Sequence, residues 1–219
     1  MRTNLADEVY RILRDRIFIG NLQPGTKVRP EALAQELGVS RTPVVEAINR
    51  LAQEELVLLQ PGRGTFISEL STDRLLAHFD VRLMMEEYAA PIAVARITER
   101  DLEQLEQFLA DENRLIQENV VSDHLAWHRI NRDFHEYCVD IAGNILLSEF
   151  YARLNVDIVL ARAYKLALLR FPEEVHSEHI AIFNGYVAKD SNALLHAIRA
   201  HLSLSRAASV RLAMNYDSI

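Results

Sequence analysis

The chain has 219 residues, of which 49% are hydrophobic and 25% charged; this is enough apolar material for one good core or two modest ones, and it excludes a disordered polymer. No apolar run reaches the roughly 18 residues of a membrane span, and Arg2, Asp7, Glu8, Arg11 and Arg14 interrupt the start where a secretory signal would be apolar, so a membrane protein is excluded and a cytoplasmic one expected. The single cysteine, Cys138, excludes an internal disulfide and any CxxC zinc or redox motif, and the formal net charge of -7 argues against a nucleic-acid partner for the chain taken as a whole.

Divided near residue 68, the charge tells a different story. Residues 1–68 hold nine Lys and Arg against eight Asp and Glu, whereas residues 69–219 hold fifteen against twenty-three, together with all eight histidines. An acidic body repels phosphates, so DNA contact is expected in the first part, where Arg29, Arg41, Arg50 and Arg63 stand.

In that part, Leu5, Val9, Ile12, Leu13 and Ile17 recur at helical spacing until Asn21 and Pro24-Gly25 break the pattern, which predicts a helix over 4–20. "PEALAQELG" predicts a second, with Pro30 in its first turn and Gly38 ending it in a left-handed conformation. Ser40 or Thr42 is placed to cap a third, with Pro43 in its first turn and Val44, Ala47, Ile48 and Leu51 on its apolar side. Two short helices joined by a Gly-containing turn form a helix-turn-helix, whose second helix can enter a DNA major groove. Two strand-like stretches follow, "LVLLQ" and "GTFIS", with "PGRG" between them: a hairpin whose glycines permit a tight turn while Arg63 projects beyond it. Such a wing can lie along the phosphate backbone or insert into a minor groove.

"LQPGTKVRPEALAQELGVSRTPVVEAINRLAQEELVLLQPGRGTFI" resembles the winged helix-turn-helix of GntR-type bacterial transcription regulators, through the "GVSRTPV" turn and the "GRG" wing tip. The resemblance implies a DNA-binding domain over 1–68. Arg41, Thr42 and Pro43 would sit at the start of the recognition helix and Gly62, Arg63 and Gly64 would make the wing contact, while Arg29 and Arg50 are DNA-binding candidates by the charge distribution alone and, taken singly, read equally as solvated surface charge. Where that family usually reads "PVREAL", this chain has Val45 in place of the arginine. A guanine contact of the bidentate arginine kind is therefore missing there, and the matching operator position is expected to be weakly read or met through a thymine methyl.

The second part predicts about six helices, namely 71–97 with a bend at Pro91, 98–119 starting at a Thr98 cap, 123–143, 144–169, 172–189 and 191–216. An antiparallel bundle is their natural packing, giving a mainly α fold with a winged helix-turn-helix ahead of an all-α bundle over 72–215. Asn131 and His135 share a helix face, while His179 and His201 lie on the last two helices, which a short connection makes neighbours. Three neutral imidazoles and an oxygen donor can hold a divalent cation of the Zn, Ni or Mn type; taken singly, each histidine reads equally as a packing residue. His124 and His128 continue the same stripe toward a helix end expected to be solvated, and Glu136 and Glu178, adjoining histidines, are expected to point to another face.

"DVRLMMEEYAA", "FHEYCVDIAGN" and "SEHIAIFNGYVAKDSNALLHAIRAHL" resemble the FCD ligand-binding domain of the FadR branch of that family. The resemblance implies a metal held by Asn131, His135, His179 and His201, with Asn131 where aspartate is more usual, and an effector carboxylate paired with Arg82. It further implies a homodimer on a pseudo-palindromic double-stranded operator, a repressor switched by a small carboxylate metabolite, and no catalytic residues. A metal-dependent hydrolase built on the three histidines is the alternative, but no HExxH or HxxEH word supplies its base. A purely architectural DNA binder would leave the histidine-bearing bundle without a use.

Overall fold

The computed structural model describes residues 5–18, 20–54, 56–68, 72–118, 124–154 and 172–216, which form two compact units, Met1–Leu70 and Ser71–Ile219. In the first unit the order is α1 (Leu5–Phe18), β1 (Lys27–Val28), α2 (Pro30–Leu37), α3 (Arg41–Gln53), β2 (Val57–Gln60) and β3 (Gly64–Ile67). Helix α1 packs on α3, burying Val9, Leu13 and Ile17 beside Val44, Ala47, Ile48 and Leu51. Helix α2 stops as expected at Gly38, whose φ of 67° allows the N–H groups of Gly38 and Val39 to reach back to the carbonyls of Gln35 and Ala34.

The start of α3 differs from expectation. Ser40 occupies the cap position in extended conformation, yet its side chain makes no capping bond, and Thr42 lies inside the helix. Pro43, third in the helix, removes one of the two N–H groups from which a capping hydroxyl at Ser40 could accept. The hydroxyls of Ser40 and Thr42 stay exposed at the helix start.

The three strands form one antiparallel sheet in the order β1-β3-β2, with Val57 opposite Ile67, Gln60 opposite Gly64 and Lys27 opposite Phe66. Strand β1 is unexpected, since two residues are too few to show the period-2 alternation that marks a strand.

The second unit comprises α4 (Thr72–Arg96), α5 (Glu99–Gln117), α6 (His124–Asp140), α7 (Ile145–Arg153), α8 (Pro172–Val187) and α9 (Ser191–Tyr216). Helix α4 runs on through Pro91. Thr98 caps α5 in a reciprocal box with Asp101. Of the helix expected over 144–169, the portion after Leu154 lies outside the described residues, as do 170–171. Helix α9 packs against α4 and α8, α5 against α6 and α8, and α4 against α6. The core between them contains Ala93, Leu105, Phe134, Ile182, Leu194 and Ile198, with Cys138 as one more apolar filler.

The contact between α8 and α9 is close because Gly185 has no side chain: a Cβ there would stand 2.8 Å from the Leu194 Cα. Asp190 turns the chain into α9 by accepting from the N–H groups of Asn192 and Ala193. Six residues back along α8 and seven onward along α9, the antiparallel register places His179 beside His201.

Candidate metal centre and DNA-reading surface

His135 from α6, His179 from α8 and His201 from α9 converge in the interior of the bundle, each at most 2% exposed. One nitrogen of each lies within 4.8 Å of those of the other two, and the Nε2 atoms of His135 and His179 are 3.2 Å apart. Two ligands of one ion, each about 2.1 Å from it, stand about 3.0 Å apart at an octahedral right angle and about 3.4 Å apart at the tetrahedral angle. The observed spacing falls between these values.

Behind the imidazoles stands a layer of carboxylates. His179 Nδ1 donates to Glu112 Oε1 at 2.7 Å, and His201 Nδ1 donates to Glu178 Oε2 at 2.8 Å. Glu112 uses its other oxygen on His176 Nδ1 at 2.9 Å. A carboxylate that accepts from Nδ1 fixes the neutral tautomer whose free lone pair is on Nε2, which is the form a metal requires. Burial alone would raise the pKa of Glu112, but His179 and His176 hold it down, to about 2, so it stays an acceptor.

His135 is less settled. Its Nδ1 lies 3.3 Å from Glu86 Oε2, close enough for attraction but without an aligned hydrogen bond. With its proton on Nδ1, the lone pairs on the two Nε2 atoms face each other at 3.2 Å; with the proton on Nε2, a bare Nδ1 faces a carboxylate. A cation among the Nε2 atoms removes that conflict, so this donor set fits a divalent metal. Burial, with the Arg82 charge added, lowers the His135 pKa to about 4 against the opposing pull of Glu86, keeping the ring neutral.

Asn131 sits one turn before His135 on α6 and is buried. Arg82 belongs to the same interior, 2% exposed, with Nε 2.8 Å from Glu86 Oε1. Tyr151 donates to that same oxygen at 2.6 Å. Burial pushes Glu86 up, but His135, which is protonated in the acid range where this carboxyl titrates, together with the Arg82 charge and the Tyr151 bond, outweighs it and holds the carboxyl well below its ordinary range. Arg82 is therefore an ion-pair partner within its own helix and is joined through Glu86 to His135.

In the first unit, Arg29, Arg41, Thr42, Gly62, Arg63 and Gly64 are all exposed. Arg41 Nε is 3.1 Å from Glu31 Oε1 in a pair that stays open to solvent on both sides. The wing turns through Arg63, whose N–H donates to the Gln60 carbonyl, with Gly62 at a φ of 75° and Gly64 at 120°. Pro43 stands at the start of α3 as expected, and Arg50 is exposed on the same helix. Pro43 is buried and shapes the helix start without offering surface. Arg50 points to α1, paired with Asp7 and 4.1 Å above the Tyr10 ring, so it ties two helices together.

The family model described as bacterial regulatory proteins, gntR family, matches residues 5–67, and that of the FCD domain matches residues 77–204. The chain belongs to the GntR family and carries an FCD domain. Among curated relatives, the HTH-type transcriptional repressor RspR of Escherichia coli K12 is 28% identical, over 89% of this chain and 84% of that protein. The HTH-type transcriptional repressor GlaR of the same organism is 28% identical, over 88% and 90%. Among solved structures, E. coli McbR/YncC superposes with a TM-score of 0.77 at 22% identity, covering 98% of this chain and 99% of the other. A GntR-type protein from Rhodococcus sp. RHA1 does so at 0.73 with 19% identity, covering 94% and 97%.

This GntR regulator is thus a DNA-binding transcription regulator, and its relatives are regulators of that kind, not enzymes; the hydrolase alternative finds no support. None of its described helices is long and apolar enough to cross a membrane. Three of its site residues were missed or misplaced by sequence reasoning. Glu178 turns toward His201 on the neighbouring helix, not away from the histidines. Glu112 was legible in principle, because it interrupts the buried stripe of Leu105, Leu109 and Leu115 on α5. Glu86, one turn after Arg82, carried no comparable signal. His128 is buried rather than solvated, His176 joins the cluster through Glu112, and His196 is exposed.

Proposed function

We propose that this regulator is a homodimeric, metabolite-responsive repressor of the FadR branch, acting in the cytoplasm on a pseudo-palindromic operator and switched by a small carboxylate. Two copies would present recognition helices α3 to half-sites related by the same two-fold symmetry as the protein. Arg41 and Thr42 at the start of α3, supported by Arg29, and Arg63 between Gly62 and Gly64 on the wing are the proposed contacts. Val45 leaves one operator position weakly specified.

His135, His179 and His201 would hold the ion through Nε2, with the Asn131 amide oxygen as a fourth, neutral donor; a Zn, Ni or Mn type ion suits that set. When bound, the ion supplies a concentrated positive charge that attracts an anionic ligand. Within the chain, Glu112 and Glu178 orient two of the imidazoles, and Glu86 holds Arg82 where an incoming carboxylate could share its guanidinium. The repressor reading draws on RspR and GlaR, both of which are called repressors. The observation that carries the metal reading is the convergence of three buried imidazoles, two of them bonded through Nδ1 to carboxylates and one of these two with its Nε2 3.2 Å from that of His135.

The test is to measure the metal content of purified protein by mass spectrometry, then operator binding by fluorescence anisotropy as carboxylates are titrated with and without the ion. Stoichiometric metal and a metal-dependent, carboxylate-dependent loss of binding are expected. Binding of operator that no carboxylate alters under any metal condition would overturn the switch.

A further inference from the structure

The near-neutral charge of the first unit conceals a strictly basic wing. From Asn21 to Arg29 and from Leu56 to Ser68 the chain contains Lys27, Arg29 and Arg63 and not one aspartate or glutamate. These two stretches are brought side by side by the pairing of β1 with β3. Lys27 is opposite Phe66 in that pairing, so both side chains stand on one face of the sheet. The lysine stem runs toward the wing tip: a Cβ on Gly64 would meet Lys27 Cε at 2.8 Å and its Nζ at 3.3 Å. Its ammonium lies 5.7 Å from the centre of the Phe66 ring. Arg63 lines a groove on this part of the wing with Leu58, Gln60 and Phe66.

We infer that Lys27 is a further DNA-contacting residue of the wing, neutralising a backbone phosphate beside the one met by Arg63. Three features support the assignment. The stem is extended along the sheet by packing in the space that Gly64 leaves, so part of the entropy of ordering a lysine is already spent in the free protein. The Phe66 ring face favours a cation above it without withdrawing its charge, as a carboxylate partner would. A lysine acts on phosphate as a point charge and needs no bidentate geometry, so the contact adds affinity and register without reading sequence. Gly64 acquires a second purpose here, since beyond its φ of 120° it leaves the passage through which Lys27 reaches the tip.

The test uses the full chain and a mixed-sequence DNA duplex, with binding measured by anisotropy across a salt series for wild type, Lys27→Met and Lys27→Arg. Each neutralised phosphate contributes about 0.9 to the slope of log affinity against log salt concentration. Lys27→Met should flatten the slope by about that amount and weaken binding several-fold at low salt, while Lys27→Arg keeps the wild-type slope. Thermal melting should be the same in all three. A Lys27→Met slope equal to wild type would overturn the inference, the more so if melting fell, because that pattern means the lysine serves only to cover Phe66. A wild-type protein that failed to bind the duplex at all would instead refute the assignment of DNA binding to this unit.

Discussion

At Glu112 one buried carboxylate holds two imidazoles, His176 and His179, one on each oxygen. Glu112→Gln keeps an acceptor oxygen but removes the charge and offers an N–H₂ to one of the two rings. Metal affinity is expected to fall about 10–100-fold, the usual consequence of losing a partner that orients a ligand. Competition with a chromophoric chelator measures this, and a Gln variant with wild-type affinity would show that the carboxylate only fills space. His135 supplies a second prediction. Because its pKa is lowered to about 4, the unfolded chain takes up a proton near 6.5 that the folded protein refuses. Metal-free stability should therefore be level above about pH 6.5 and decline as pH falls toward 4. Glu112, held down to about 2 from an ordinary 4.5, extends the loss below that. Urea unfolding across a pH series checks the sign, and His135→Gln should remove the upper part of the decline.

At the level of elements, the pair α8 and α9 carries two of the three imidazoles, so its spacing sets theirs. Gly185→Val puts side-chain atoms where 2.8 Å separates a Cβ from the Leu194 Cα, and α9 must move out. We expect a loss of about 1–3 kcal/mol in chemical unfolding, as for other overpacked sites, together with weaker metal binding although no ligand has been altered. Metal affinity preserved at reduced stability would uncouple helix spacing from the site. The same elements show what the sequence can and cannot disclose. Helices announced themselves where apolar residues recur at helical spacing and a local cap marks an end, as at Thr98 and Gly38, because both signals are confined to a few neighbouring residues. The turn, wing and three histidines were legible for similar reasons, with the family resemblance joining them. Glu112 was marked only as a charge within a buried stripe, and its purpose stayed hidden because its partner His179 lies 67 residues away and only packing reveals that the two helices meet. Strand β1 escaped because its identity comes from its partner β3, not from its own two residues.

Across the whole molecule, charge and chemistry are divided: the cations that suit DNA lie in the first unit, and the histidine cluster with its carboxylates lies in the second. A switch joining them is a coupling free energy, and it can be no larger than the difference in effector affinity between the DNA-competent and incompetent states. Coupling of this kind is typically about 1–3 kcal/mol, or about 5–150-fold in operator affinity. Reciprocity makes the prediction strict. If a carboxylate with saturating metal weakens operator binding by some factor, operator must weaken carboxylate binding by the same factor. Calorimetric titration of the carboxylate into free and operator-bound protein, set against anisotropy with and without the carboxylate, yields the two factors independently. They are expected to agree, and both should approach one in His179→Ala, which retains the entire first unit. Coupling that survives His179→Ala would place the effector somewhere other than the histidine cluster, whereas unequal factors would mean that a further linked equilibrium separates the two titrations.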